Sequence, residues 1–321
     1  MKTKITIASL LLLGSITVKA QKYDIKTAKT YAEISAKTDG KWEGRKYKGG
    51  TVFKNVDRLK MAPEHTDHSF DIRYEGPGWE SNRIGYRLYL DWRNAIDIFG
   101  KKTSEMILPK VGQDNFDSYH EMSDWGADIL KAGKAIGIGS IDRYLNNEKL
   151  HFREVDSTIV SVINKTTESG VKVNYYGWKT ASDKIDFTSE LTIKPDQLYT
   201  QHTIKASKEI KGICTGIAKQ KNTELVKKDS KNKKWAYIAT YGEQSLVPDK
   251  LGMAIFYQTT TIESNPETDL DYLLVFKPST KATTFYLLGA WEQEVNGIKS
   301  KEEFVKYLDE KLEILNKKGK M

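Results

Sequence analysis

Arg83, Arg87, Tyr89, Asp91 and Arg93 fall at alternate positions of one stretch, "RIGYRLYLDWR" at 83–93, directly after "GPGWES". Guanidinium forks suit carboxylate or sulfate groups, and the phenol and carboxylate among them add a proton donor and an acceptor. Trp79 and Glu80 in the preceding turn supply a flat ring for sugar stacking and an acceptor for hydroxyls. A site for an acidic sugar is the chemistry such a set can do. An exposed sheet face with internal Arg–Asp pairs is the alternative.

Five histidines are available for acid–base work. His120 lies in "DNFDSYHEMSDWGAD", where Tyr119, Asp124 and Trp125 crowd a predicted loop, and loops on a rigid scaffold are where catalytic groups concentrate. It is the foremost candidate base. His65 and His68 flank Asp67 in "EHTDHS", but adjacent ligand types on an irregular loop lack a third partner, so no metal is expected there. Contact with substrate or plain surface remains for both. His202, in mid-strand, is either a substrate contact or a satisfied sheet histidine, and His151 reads as structural. Trp291, closing "TTFYLLGAW", is a sugar platform or a core residue. The chain has no G-x-S-x-G elbow or Cys–His pairing, zinc finger, basic helix or phosphate-binding glycine loop. No cofactor and no nucleic-acid partner is expected.

The elements that must hold these residues are mostly strands. Period-two alternation marks 30–37, 83–91, 171–178 and 198–206, while 253–260, 271–277 and 283–291 read as more deeply buried strands. In 83–93 the alternation sends Ile84, Tyr86, Leu88, Leu90 and Trp92 to a core side and the charged set to the other. The basic run 227–235 reads as a solvated hairpin tip. One helix is predicted at the C-terminus, where Ser300 and Glu303 form a capping-box pattern ahead of Phe304, Leu308, Leu312 and Leu315; a second, short one is expected over 123–133. The expected architecture is all-β dominated: one large antiparallel β-sandwich over 21–321, of the mutarotase-like supersandwich kind, with a C-terminal helix.

The first twenty residues carry two early lysines, an apolar run from Ile5 to Leu13 and small residues before Gln21, the pattern of a Sec-type signal peptide. No cysteine sits near the cleavage point to take a lipid anchor, and no later segment is apolar enough to span a bilayer. A periplasmic or secreted protein is expected. The one cysteine, Cys214, excludes an intrachain disulfide and sits in an apolar strand context. Formal charge is +8, and three lysines of the leader reduce it to +5 beyond residue 20. For an exported protein, an acidic polysaccharide is a more accessible polyanion than nucleic acid.

Together, "EHTDHSFDIRYEGPGWESNRIGYRLYLDWRNAIDIFGKK" at 64–102, "YHEMSDWGADILKAG" at 119–133 and "LLGAW" at 287–291 resemble a family of exported bacterial proteins from polysaccharide-utilisation loci, long catalogued as a domain of unknown function. Within it the chain is most similar to dehydratases of ulvan-type oligosaccharides. The resemblance implies removal of water from a non-reducing-end uronic acid, leaving a 4,5-unsaturated uronyl residue. Such an elimination needs a base for the proton alpha to the carboxylate, donors for the developing enolate and an acid for the departing hydroxide. By residue type and position, Arg83 and Arg87 would hold the carboxylate, and His120 and Tyr89 would share base and acid duties. His65, His68, Glu80 and Asp91 would bind hydroxyls, with Trp79, Trp125 or Trp291 under the rings. A polysaccharide lyase, a non-catalytic glycan-binding protein and a mutarotase or epimerase remain as rivals.

Overall fold

The computed structural model describes residues 23–50, 52–113, 118–221 and 223–321, so the leader at 1–20 lies outside the described residues. Its alternating segments form a large antiparallel β-sandwich. The nine-stranded sheet runs in the order Val226–Asp229, Trp235–Glu243, Lys250–Gln258, Thr283–Trp291, Tyr199–Ala206, Asp183–Ile193, Ser169–Thr180, Ser157–Asn164, Arg58–Lys60. A five-stranded front sheet holds Thr30–Glu33, Gly78–Ser81, Ile84–Leu88, Ile96–Lys101 and Gly126–Asp128. A second five-stranded sheet contains Ile213–Ala218, whose Cys214 is fully buried.

Packing of the front sheet explains the charged stretch. On its inner face Trp79, Ile84, Tyr86, Leu88, Ile96 and Ile98 join the main core. Polar tips key them to the large sheet: Trp79 Nε1 donates to Thr200 Oγ1 at 2.8 Å, and the Tyr86 hydroxyl donates to Leu198 O at 2.5 Å. The outer face is covered as well, by a second apolar cluster of Tyr31, Tyr74, Phe99, Met106, Ile107, Leu108, Val111 and Tyr119. Met106–Val111 and Tyr119, which lie in sequence between the strands Ile96–Lys101 and Gly126–Asp128, thus roof the polar side. Charges placed there must find partners inside the protein, because a buried unpaired ion costs several kcal/mol.

The C-terminal helix, Lys301–Lys318, forms as the capping pattern predicts. Ser300 Oγ accepts from Glu303 N at 3.1 Å, and the Glu303 carboxylate reaches back to Lys299 N at 2.9 Å. Its Phe304, Leu308, Leu312 and Leu315 are buried. Gly252 makes room for this packing, since a Cβ there would come within 2.5 Å of the Phe304 ring. The short helix expected over 123–133 is not formed. Gly126 there holds φ 126°, and any Cβ would stand 1.8 Å from Gly100 O, so the backbone pairs closely with Ile96–Lys101 as the edge strand Gly126–Asp128. Among the described residues, no helix is long and apolar enough to cross a membrane.

Candidate functional site

Antiparallel register sets Arg87 directly opposite Asp97, and Gly126–Asp128 extends the same sheet by pairing Asp128 with Phe99. The side chains meet under the roof. Arg87 Nη2 donates to Asp97 Oδ2 at 2.9 Å and Asp128 Oδ2 at 2.7 Å, Nη1 donates to the Tyr119 hydroxyl at 2.9 Å, and Nη2 also bonds the Tyr89 hydroxyl. Tyr89 in turn donates to Asp97 Oδ2 at 2.7 Å. The Arg87, Asp97 and Asp128 side chains are at most 1% exposed. Charge-assisted bonds of this density offset the desolvation of a guanidinium and fix every partner's orientation.

The network forms the back wall of a cavity of about 350 Å³ lined by Tyr89, Asp97, Asp128, His120, Lys131 and Arg93, with His68, Glu75 and Leu246 at its sides. That volume falls in the range of small-molecule sites, about 300–1,000 Å³. His120 Nδ1 lies 3.1 Å from Asp128 Oδ2 at an angle short of a hydrogen bond, and its side chain is 37% exposed. A small ring rotation suffices to close that bond. Arg93 stacks 3.9 Å above the Tyr89 ring centroid and Arg87 lies 4.3 Å from it, so two guanidinium groups flank one phenol. Lys131 is exposed and forms no ion pair among the described residues, leaving its ammonium open to the cavity.

The side wall is the segment 64–75, and its backbone is strained. His68, Phe70, Tyr74 and Glu75 all hold φ between 40° and 65°, a left-handed conformation costly for residues with side chains and concentrated at functional sites. Arg93 clamps this wall by pairing with Asp67 at 2.8 Å, Glu75 at 3.2 Å and Asp91. Asp67, His68 and Glu75 place ligand-type atoms within 4.8 Å of one another. Their carboxylates are already committed to Arg93.

Burial sets the protonation states. Asp97 is pushed up to about 6 by burial and by the neighbouring Asp128 carboxylate, and burial also raises Glu75. Burial holds Tyr89 well above the ordinary phenol value, despite Arg87, so it is a neutral donor.

Of the residues proposed from sequence, the cavity collects His120, Tyr89 and His68. Asp91 acts indirectly, buried and holding Arg93. Arg87 is central but wholly buried, so it positions Tyr89 and the two aspartates instead of meeting a substrate carboxylate. Arg83 is at the other end of the strand, paired with Glu294 at 3.2 Å. Glu80 is fully buried, bound to Lys101 and accepting from Ile107 N and Leu108 N at 2.9 Å, so it fastens the roof and meets no sugar. Trp79 and Trp291 are core residues, the latter donating to Asp249 at 2.9 Å. His202 is buried between Ser189 Oγ at 2.5 Å and Gly139 O at 2.9 Å, and burial lowers it to about 4, so it stays neutral. His65 is buried against Asp71, 2.9 Å away, outside the cavity lining. Trp125 packs on Phe99 and lines a neighbouring depression beside Tyr119. Alternation failed for Glu80, Arg83 and the tryptophans because it ranks the two faces of a strand but cannot show that both are covered.

Sequence reasoning missed Asp97, Asp128, Glu75 and Lys131. A signal existed for the first: an aspartate alternating with buried isoleucines in "AIDIFG" must be paired inside the protein. Asp128 was hidden by the expectation of a helix.

Fold and site together define an antiparallel β-sandwich protein with a roofed Arg–Asp–Tyr network opening on a histidine-edged cavity. The chain belongs to the family described as "Domain of unknown function (DUF4861)", which matches residues 14–321. No curated protein matches it. Among solved structures, it is similar to a protein described as a kojibiose phosphorylase from the human microbiome, at 13% identity and a TM-score of 0.37, covering 74% of this chain and 32% of that one. It is also similar to a TPR-domain containing protein from Parabacteroides distasonis, at 6% identity and a TM-score of 0.37, covering 81% and 54%. The chain thus spans about a third and about half of those two proteins. At that score neither likeness bears on function.

Proposed function

We propose that this cavity removes water from the non-reducing-end uronic acid of an acidic oligosaccharide, by abstracting the proton alpha to the carboxylate. One observation carries the reading: a neutral phenol, a histidine beside a buried aspartate and an open lysine converge on one small cavity. Lys131 takes the carboxylate that sequence reasoning had assigned to the arginines, and it stabilises the enolate as charge builds there. His120 Nε2 accepts the alpha proton while Asp128 holds Nδ1. Tyr89 gives its proton to the departing hydroxide, forming water. The resulting phenolate is met by Arg87 at its oxygen and by both guanidinium groups about its ring. Proton return from His120, through a water, restores both groups.

The reaction is tested by incubating the protein with ulvan-derived oligosaccharides ending in a saturated uronic acid. An intact product lighter by one water, with the ultraviolet absorbance of an unsaturated uronyl group, is the expected result. Cleavage into two shorter oligosaccharides would replace the reading by a lyase, and neither change would sink it. A Lys131→Ala variant is expected to raise KM by about tenfold and to lower kcat as well, as loss of a charge that both binds the carboxylate and stabilises the enolate does. Steady-state kinetics over a substrate series check this, and an unchanged KM would remove Lys131 from carboxylate recognition.

A further inference from the structure

The cavity is not where the protein's positive charge lies. Asp67, Glu75, Asp91, Asp97 and Asp128 line or back it against Arg87, Arg93 and Lys131, so acids outnumber permanent cations around the site. The surplus is concentrated elsewhere. Residues 37–60 contain eight lysines and arginines against three acids, a net +5, which equals the whole surplus of the chain beyond residue 20.

This segment folds as two small hairpin sheets, Ser35–Lys37 with Phe53–Asn55 and Gly40–Glu43 with Lys46–Gly49. In the second, register sets Lys41 directly opposite Lys48, a like-charge cross-strand pair that destabilises a ribbon. Both are exposed, and the one acid on Lys41 is the exposed Glu43 at 3.1 Å. The other face of the ribbon carries Trp42 against Tyr47, ring centroids 5.2 Å apart and partly exposed. The exposed cations form a surface suited to a sulfated or carboxylated sugar chain, whose anions would relieve the lysine repulsion.

The ribbon is fastened to the cavity wall. Arg45 donates to His65 O at 2.7 Å and Glu64 O at 3.2 Å, and Tyr47 N donates to Ser69 O at 2.8 Å. Lys46 lies 4.8 Å over the Phe70 ring, which meets His68 of the cavity edge at 6.1 Å. We infer that the hairpin at 40–49 is a binding surface for the distal, anionic residues of a glycan chain whose terminal sugar enters the cavity. The inference rests on the proposed reading for the identity of that chain. It assigns selection of the polyanion to the ribbon and the chemistry to the cavity.

The test is affinity electrophoresis of the protein in gels containing ulvan, neutral dextran or duplex DNA, with the double variant Lys41→Gln/Lys48→Gln alongside. The expected result is retardation by ulvan and not by dextran, weakened about tenfold in the double variant and by raised salt. Both lysines are exposed and their mutual repulsion is removed, so the variant's melting temperature should equal or slightly exceed that of the wild type. Equal retardation of wild type and variant would overturn the inference, as would stronger retardation by DNA than by ulvan. Retardation is read without turnover, so a protein that binds through the ribbon but releases no water would keep this inference and lose the dehydratase reading. Full turnover with no retardation would do the reverse.

Discussion

Replacing His120 by alanine is expected to slow dehydration by about 10²- to 10⁴-fold, the span over which a positioned general base contributes. Stability should change little, because the ring is partly exposed at the cavity edge and, among the described residues, packs on Tyr119 from one side only. The measurement is kcat/KM from unsaturated-uronyl absorbance, with calorimetric melting as the control. Substrate binding should survive, since Lys131 and the cavity shape remain. A variant with wild-type turnover would transfer the base role to another group, and Tyr89, held neutral by its burial, is a poor one.

Arg87→Met should have the largest effect on stability. Methionine fills much of the volume but leaves Asp97 and Asp128 buried with their shared cation gone, a loss of about 3–5 kcal/mol for breaking a buried pair from one side. The effect should depend on pH in a defined direction. Asp97 is already raised from 3.8 to about 6, so it binds its proton more tightly folded than unfolded. Its stabilising contribution is therefore complete below the unfolded value and is lost as pH rises through about 6. Without Arg87 the Asp97 carboxyl rises further, so the variant's deficit should be smaller near pH 5 than near pH 8. Urea denaturation at both pH values reads this, and an equal deficit would mean that lost packing, not uncompensated charge, is the cause.

The fold was largely legible because its signals are local. Alternation located the strands around 171–178 and 198–206, an apolar run located the buried one at 283–291, and the Ser300–Glu303 pattern marked the start of the helix. The site was legible only in part. His120, Tyr89 and His68, singled out from sequence, line one cavity, yet Arg83 and Glu80, four and seven residues before Arg87 along the same run, serve other ends of the sheet. What alternation could not convey is the roof. Met106, Ile107, Leu108 and Val111 lie over the polar face through contacts distant in sequence, turning an apparent surface into an interior layer. Whether Arg87 meets a ligand or a pair of aspartates depends on that cover, which tertiary packing alone decides.

Cys214 has a practical consequence for following the protein at work. Fully buried, with burial pushing its thiol far up, it gives the chain a background silent to maleimides and other thiol reagents. One cysteine introduced at Val52, 54% exposed just after the basic ribbon and outside the cavity lining, would then be the sole reactive position. A fluorophore or spin label there would test the proposed docking of a sugar chain separately from the proposed chemistry at its end.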